Sequence, residues 1–289
     1  MTALDDLLVV LTLEQLSELD YRGASQDLGW GAVYGGQLLA QSLRAAQRTI
    51  KDNQQVHSMH AYFLEKAVAR ESVLYRVRIL RDGRSFSQRR VDAYQKERLI
   101  FTAQLSFQVL EKGLFHQQVP PLPGQSIDSL YSERAWAEKV QEALPLELRS
   151  RAVQERAFEV RLLNPIHPRH PDKQPPKRGF WCRVHTPRAI DRRLARCLIA
   201  WMSDGHLLTT SLLPHGVTWL TPAMQVGSLD HALWFHRDIE LTDWWFYEMR
   251  SPIAIAARGL VYGQMIQGGD LCVSAAQEGL IRQRLGSIS

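Results

Sequence analysis

The two halves of the chain carry the same order of predicted elements, and this repeat constrains the fold more than any single motif. In each half a helix is followed by three strands, a turn and a further strand. The matched positions are Ser58 with Ser228, Arg89 with Arg258, Gln108 with Gln277, and Gly35-Gly36 with Asp204-Gly205. Their separations run from 169 (277 − 108) to 170 (228 − 58) residues. Because an offset this constant is hard to reach by chance, the chain is predicted to be a fused duplication of one unit.

Each repeated unit combines one helix with an antiparallel sheet. In the first half, Leu39, Leu43 and Ala46 place an apolar stripe on one face of a helix that begins near Gly35. Half-apolar and alternating patterns then predict strands at residues 57–64, 73–80, 85–94 and 99–109. A helix backed by consecutive antiparallel strands predicts the α+β class.

A change in composition separates the two units. Three closely spaced prolines, Pro120, Pro121 and Pro123, follow the first unit, and residues 135–143 are typical of a surface helix. The predicted division is an N-terminal unit at residues 1–112, a linker with a surface helix at 113–154, and a C-terminal unit at 155–289, which carries the candidate functional residues.

Charge and cysteine content exclude several classes of protein. Lys and Arg exceed Asp and Glu by a scattered five (35 against 30), which argues against nucleic acid but suits a ligand that carries phosphates. The three cysteines are far apart and form no CxxC, so neither a disulfide framework nor a zinc site is expected. The sequence shows neither a membrane-spanning apolar stretch nor a secretory signal. A cytoplasmic protein without stable membrane insertion or bound metal is therefore expected.

Three polar residues of the second half interrupt apolar patterns. Asp204 follows the stripe of a predicted helix, Ser228 interrupts the predicted strand at residues 225–237, and Gln277 lies among small residues. Such a trio can hold a water molecule, because the carboxylate accepts its proton while the hydroxyl and the amide orient it. Each residue also has a structural interpretation as a helix cap, a local hydrogen bond or an exposed strand residue, and spacing leaves both open.

Other motifs in the sequence give little information about function. The sequence contains no GxSxG and no glycine motif for nucleotide phosphates. His167 and His170 lie in a proline-rich loop without further ligands, which argues against a metal there. The Gly35-Gly36 pair either exposes N–H groups that bind an anion or a carbonyl, or forms a packing turn.

Motifs spread over nearly the whole chain resemble one family. They are Val33-Tyr34-Gly35-Gly36-Gln37, His57-Ser58-Met59-His60-Ala61-Tyr62-Phe63, Leu80-Arg81-Asp82-Gly83-Arg84-Ser85-Phe86-Ser87 with Arg89-Arg90-Val91, Pro214-His215-Gly216, Leu229-Asp230-His231 with Trp234-Phe235-His236-Arg237, Ala257-Arg258-Gly259, and Gln277-Glu278-Gly279. In these motifs the chain resembles the acyl-CoA thioesterase II family, whose members have a double hotdog fold of two fused units, each a curled antiparallel sheet wrapped around a long helix. The chain departs from the family pattern at Glu65-Lys66-Ala67 and at Gly205-His206.

The resemblance implies hydrolysis of fatty acyl-CoA to free fatty acid and CoA, without metal, cofactor or covalent intermediate. The family's catalytic Asp, hydroxyl residue and Gln correspond to Asp204, Ser228 and Gln277. The family also implies assembly into a homo-oligomer, a dimer or a tetramer. Two other functions stay open: a non-catalytic protein that binds or senses acyl-CoA, and a hotdog enoyl-CoA hydratase, although the Gly-Asp-x-Asn-Pro-like motif of the latter is missing.

Four further residues are candidates for substrate binding. Gly35 and Gly36 offer N–H groups at a helix start, where an anion or a carbonyl can bind. Backbone N–H groups near a helix start are also expected to stabilise the oxyanion, and the sequence does not show which ones. Arg89 and Arg258 are candidates for the CoA phosphates, although an arginine inside a strand can equally be structural. The remaining polar residues of the 225–237 strand are interpreted as structural hydrogen-bonding groups: Asp230, His231 and His236.

Overall fold

The computed structural model describes residues 2–29, 31–186 and 189–284. This part of the chain forms one fourteen-stranded antiparallel sheet with five α-helices. The helices are α1 (Ala3–Val10), α2 (Gly35–Gln47), α3 (Glu133–Lys139), α4 (Leu146–Ala152) and α5 (Arg192–Ser203). The strands are β1 (Glu14–Gln15), β2 (Asp20–Gly23), β3 (Gln54–Phe63), β4 (Val73–Asp82), β5 (Phe86–Gln95), β6 (Arg98–Val109), β7 (Tyr131–Ser132), β8 (Phe158–Leu162), β9 (Lys177–Val184), β10 (Met224–Ser228), β11 (Asp230–Phe235), β12 (Trp245–Ile255), β13 (Arg258–Gln267) and β14 (Asp270–Gln283). Short 3₁₀ segments lie at Ile127–Ser129, Gln141–Ala143 and Leu208–His215.

The sheet is nearly symmetric about its centre, as a duplication requires. The strand order is β1-β2-β4-β5-β6-β3-β11-β14-β13-β12-β9-β8-β7, and β10 pairs with β14 beside β11. The two halves join where β3 pairs with β11, with His60 opposite Ala232. No helix among the described residues is both long and apolar enough to cross a membrane.

The strand registers fix the offset of the repeat at 172 residues. The β5–β6 ladder shifts register after Ala93, and the β13–β14 ladder shifts after Met265, which is 172 residues further on (265 − 93). A second shift follows Val56 in the first half and Ser228 in the second, again 172 residues apart (228 − 56). Bulges at equivalent positions are inherited features of a repeated unit, so they identify the true correspondence.

The duplication is therefore confirmed, but the predicted residue matches at offsets of 169 and 170 are wrong by two or three positions. The predicted matches rested on a few similar residues that occur by chance near the true positions. The true offset could not be seen in the sequence, because a bulge has no sequence signature of its own. By the 172-residue offset, Ser228, Arg258 and Gln277 correspond to Val56, Phe86 and Leu105.

The two long helices pack against each other in opposite directions inside the curled sheet. Gly36 N donates to Asp204 Oδ2 over 3.1 Å at one end, and Gln47 Nε2 donates to the Arg193 carbonyl over 2.9 Å at the other. Asp204 therefore ends α5, whereas Gly35 begins α2. The predicted match of Gly35-Gly36 with Asp204-Gly205 is wrong, because glycine is common both at helix starts and just past helix ends.

The connection after α5 is an insertion relative to the first half. Twenty residues, 204–223, separate α5 from β10, whereas six, 48–53, separate α2 from β3. The extra chain holds the 3₁₀ segment Leu208–His215, which packs on β12, β13 and β14. Paired glycines form its seat: a Cβ on Gly279 would lie 2.3 Å from Leu208 Cδ2, and a Cβ on Gly259 would lie 2.4 Å from Ser211 Oγ.

Candidate active site

Asp204 lies where the end of α5 meets the start of α2. Its Oδ2 accepts from Gly36 N over 3.1 Å. The last carbonyls of α5 are occupied by two tyrosines, since Tyr34 Oη donates to the Trp201 carbonyl over 3.1 Å and Tyr247 Oη donates to the Ser203 carbonyl over 2.7 Å. The positive end of the α2 dipole faces the carboxylate, so the fold holds an anion between two helix termini.

Glycine is required at the start of α2 by this close approach. A Cβ on Gly36 would lie 2.2 Å from the carbonyl oxygen of Trp201, and a Cβ on Gly35 would lie 2.7 Å from Asp204 Oδ2. Such distances exclude any side chain without movement of the two helices. The glycine pair is therefore both a packing turn and a source of N–H groups directed at an acceptor.

The structure brings together the three predicted side chains. Gln277 Nε2 lies 2.7 Å from Asp204 Oδ1 and 2.9 Å from Ser228 Oγ, and Ser228 Oγ lies 3.4 Å from Asp204 Oδ1. Ser228 ends β10 at the bulge that precedes β11, and bulges commonly re-aim a side chain towards a site. Gln277 lies two residues along β14 from Gly279, the residue paired with Ser228.

The polar environment of the carboxylate affects its basicity. Burial raises the pKa of Asp204, while the hydrogen bonds from Gln277, Gly36 and Ser228 act in the opposite direction and leave a net increase. Gln277 is fully buried, and its Oε1 accepts no hydrogen bond from the described part of the chain. An amide oxygen in this position can accept from a water molecule or a substrate.

The other polar residues of the 225–237 segment make structural contacts. Asp230 Oδ1 accepts from Glu278 N over 2.7 Å, and His236 Nε2 lies 2.9 Å from Ser274 Oγ. His231 Nε2 lies 2.9 Å from Ser203 Oγ, and burial lowers the pKa of His231 to about 3. This neutral imidazole therefore supports the end of α5, one residue before Asp204.

The two arginine candidates lie in different environments. Arg89 is 2% exposed, and its five N–H groups are all directed at protein acceptors: Thr49 Oγ1, Asp82 Oδ1 and the carbonyls of Thr49, Arg81 and Gln88. No N–H remains for a phosphate, so the structure argues against Arg89 as a substrate contact. Arg258 is 44% exposed and pairs with Glu278 over 3.0 Å.

The equivalent place in the other half lacks the same chemistry. Gln47 lies at the position that corresponds to Asp204, because it ends α2 and contacts the start of α5. Val56 and Leu105 take the positions of Ser228 and Gln277. A cavity of about 10 Å³ lies there, lined by residues that include Gln47, Val56 and Arg193. This volume holds at most about one water molecule. Because a valine and a leucine stand where the other half has Ser228 and Gln277, only one half carries the trio.

Four residues that support the site were not predicted from the sequence. Tyr34 could have been found from the sequence, because it directly precedes the glycine pair. Tyr247 lies in an apolar strand and gives no such signal. His206 and its partner Glu133 were also missed, since they are 73 residues apart and neither belongs to a motif of known spacing.

Comparisons with known proteins agree with the fold and with the region of the site. The family model described as acyl-CoA thioesterase matches residues 148–280, and the model of the acyl-CoA thioesterase N-terminal domain matches residues 25–108. The chain is 38% identical over 280 residues to acyl-CoA thioesterase 2 of Haemophilus influenzae, covering 96% of this chain and 98% of that relative. It is 36% identical over 282 residues to human acyl-coenzyme A thioesterase 8, covering 94% of this chain and 88% of the relative.

Solved structures show the same fold. The acyl-CoA thioesterase II TesB2 of Mycobacterium marinum matches with a TM-score of 0.76 and 33% identity, over 97% of this chain and 98% of that one. A protein from Alicyclobacillus acidocaldarius, described as having a hot dog fold, matches with a TM-score of 0.76 and 15% identity, over 96% of this chain and 98% of that one. The predicted α+β double hotdog fold is confirmed.

Proposed function

The chain belongs to the acyl-CoA thioesterase family, as its motifs predict, and from this premise we propose that it hydrolyses fatty acyl-CoA to free fatty acid and CoA with Asp204, Ser228 and Gln277 as the catalytic residues. The observation that carries the residue assignment is their convergence, with Gln277 Nε2 at 2.7 Å from the Asp204 carboxylate and 2.9 Å from the Ser228 hydroxyl.

In the proposed mechanism, a water molecule held by the three side chains attacks the thioester carbonyl. Asp204 accepts a proton from the water as the new C–O bond forms, and the carbonyl electrons move onto oxygen. Collapse of this tetrahedral intermediate breaks the C–S bond and expels CoA as a thiolate. A thiol has a pKa of about 8.5, so the thiolate leaves readily and takes the proton back from Asp204 or from solvent. The raised pKa of Asp204 supports the role of base.

The start of α2 is the proposed site for the oxyanion. The first N–H groups of a helix have no acceptor within the helix. The N–H of Gly36 donates to the Asp204 carboxylate, so the N–H of Gly35 is the proposed donor to the oxyanion. One such donor typically contributes about 3 kcal/mol to transition-state stabilisation. For the CoA phosphates we retain Arg258, which is exposed to solvent, and leave out Arg89.

We further propose the division into an N-terminal unit at 1–112, a linker at 113–154 and a C-terminal unit at 155–289. The proposed catalytic side chains all come from the C-terminal unit, while the N–H of Gly36 comes from the N-terminal one. The site therefore requires both halves, which gives a reason for their fusion in one chain.

Assembly and location are also proposals. Large apolar side chains are exposed near the tips of two hairpins, at 47% for Ile79 and 51% for Leu80 in one, and at 50% for Ile253 and 65% for Ile255 in the other. Such surfaces favour a homo-oligomer, a dimer or a tetramer, which light scattering after gel filtration would test. The cytoplasmic location remains a prediction that cell fractionation would test.

The test of the proposed function is the release of free thiol from a long-chain acyl-CoA by the wild-type chain and by Asp204→Asn. Loss of a general base lowers kcat by about 10²- to 10⁴-fold. Near wild-type turnover by Asp204→Asn would refute the role of Asp204. Binding of acyl-CoA without thiol release would indicate a sensor, and consumption of an enoyl-CoA without thiol release would indicate a hydratase.

A further inference from the structure

A partly buried polar cluster, in which His206 is 30% and Glu133 22% exposed, begins two residues after Asp204 and joins three distant segments of the chain. His206 Nε2 lies 3.0 Å from Glu133 Oε1, and His206 Nδ1 lies 3.3 Å from Arg178 Nη1. Glu133 begins α3 in the proposed linker, and Arg178 lies on β9. Arg156 also pairs with Glu133, over 3.2 Å. One imidazole thus connects the insertion after α5 to the linker and to the sheet.

The charges of this cluster determine how the imidazole is held. Arg178 can only donate hydrogen bonds, so His206 Nδ1 is the acceptor and its Nε2–H donates to Glu133. Burial and then the charge of Arg178 lower the pKa of His206, against the opposite effect of Glu133. Burial disfavours ionisation of Glu133, but Arg156, His206 and Arg178 outweigh it and lower the pKa of Glu133 to about 2. At neutral pH a neutral His206 therefore donates to a carboxylate.

The backbone of His206 is held as firmly as its ring. Its φ of 62° is in the left-handed region, which histidine adopts more readily than most residues other than glycine. Its carbonyl accepts from Thr209 Oγ1 over 3.0 Å and from Thr210 Oγ1 over 3.1 Å. Arg178 Nη1 also reaches Thr209 Oγ1, over 3.2 Å. The turn between Asp204 and the 3₁₀ segment is therefore held by both the ring and the carbonyl of His206.

We propose that His206 is a positioning residue for the hydrolysis: Glu133 and Arg178 hold its ring, the ring holds the turn, and the turn holds the Asp204 carboxylate against Gly36 N and Gln277 Nε2. This inference rests on the proposed role of Asp204 as the base. The linker then contributes to the site through Glu133, although α3 contains no catalytic residue. A displacement of about 1 Å in a reacting group costs about 100-fold in rate, so release of this turn affects turnover.

Glu133→Ala and Glu138→Ala are a matched test and control. Both carboxylates lie on α3, but Glu138 is 50% exposed and pairs with Arg134 over 2.9 Å. Thiol release by Glu133→Ala should fall about 10- to 100-fold in kcat, with KM within about twofold. Glu138→Ala should match the wild type. Glu133→Gln keeps an oxygen that accepts from His206 Nε2–H, so it should recover most of the lost kcat.

His206→Gly is an independent test, because glycine adopts the left-handed turn without strain and leaves room for an added imidazole between Glu133 and Arg178. Imidazole should raise the kcat of His206→Gly several-fold and leave that of Asp204→Asn unchanged. The positioning role is overturned if Glu133→Ala and His206→Gly both keep kcat within twofold of wild type, or if imidazole gives no rescue. An active Asp204→Asn would instead overturn the proposed function and leave the contacts of His206 as a purely structural finding.

Discussion

The backbone N–H of Gly36, in the first half of the chain, donates to the carboxylate of Asp204, in the second half, over 3.1 Å. This contact links the helix of one repeat to the proposed catalytic base of the other. It exists only because neither Gly35 nor Gly36 carries a Cβ. A substitution there disturbs the packing of the two helices and the N–H contact with Asp204 together.

Gly36→Ala should lower kcat sharply while the chain still folds. Its Cβ would meet the Trp201 carbonyl at 2.2 Å, so α2 and α5 must move apart and the N–H must leave Asp204. This movement displaces the proposed base, and a displacement of about 1 Å in a reacting group costs about 10²-fold in rate. The measurement is thiol release together with thermal unfolding, and full activity in a folded Gly36→Ala variant would contradict the assignment of this N–H to the site.

The activity should fall in acid at a higher pH than an ordinary aspartate would give. The proposed base acts when ionised, and burial raises the pKa of Asp204, so activity is lost as the pH falls through that raised pKa. Gln277→Leu removes a donor at 2.7 Å and should shift the acid limb of kcat/KM to still higher pH. Ser228→Ala removes a weaker contact at 3.4 Å and should shift it less. A shift towards lower pH in either variant would be inconsistent with this electrostatic account.

Substitution by alanine should affect substrate binding at Arg258 and stability at Arg89. Arg258→Ala should raise KM for acyl-CoA and leave KM unchanged for an acyl thioester of N-acetylcysteamine, which lacks the phosphates. Arg89→Ala should leave the KM of the folded enzyme unchanged but destabilise the chain, because it removes a buried guanidinium whose five N–H groups are all bonded. Loss of such a network costs about 2–4 kcal/mol. Denaturant unfolding and steady-state kinetics on both variants separate the two roles.

Only one of the two equivalent places in the molecule should be active. Ser228 and Val56 occupy equivalent positions before the bulge in each half, which makes alanine at each position a matched pair. Ser228→Ala should lose about 10²-fold in kcat, if its hydroxyl orients the attacking water. Val56→Ala should keep kcat within about twofold and lose only stability, by about 2 kcal/mol. Calorimetric titration with a non-hydrolysable acyl-CoA analogue should give one equivalent per chain, and two equivalents would refute the single site.

The outline of the fold and the trio were predictable from sequence, whereas the details of register were not. Helix α2 was visible because its apolar stripe has a helical period, and the strands β4 to β6 because their patterns match a half-buried sheet. The trio was visible as interruptions of apolar patterns, but only the family resemblance favoured a catalytic over a structural interpretation, since Asp204, Ser228 and Gln277 lie on three separate elements. The offset of 172 depends on bulges after Val56 and Ser228, which no residue type marks. The His206–Glu133 contact depends on how the linker folds back, which a single sequence does not encode in any local pattern.

The glycine seat beneath the insertion should control both stability and activity. Gly279→Ala would place a Cβ 2.3 Å from Leu208 Cδ2, and the 3₁₀ segment must lift to relieve the overlap. Such overpacking costs about 1–3 kcal/mol. Because the segment follows Asp204 within four residues, we also expect kcat to fall. Gly227→Ala is the control for stability, since a Cβ there meets no atom within 4 Å.

The double variant Leu208→Ala with Gly279→Ala decides whether the overlap is the cause. Removing the leucine side chain frees the space that the new Cβ needs, so the two substitutions should not be additive, and Gly279→Ala should cost less in the Leu208→Ala background than in the wild type. Contacting residues commonly show coupling of about 0.5–3 kcal/mol in such a cycle. Urea unfolding of the four proteins measures it. Strict additivity would mean that Gly279 acts through its backbone and not through the seat it forms for Leu208, and the expected loss of activity would then need another origin.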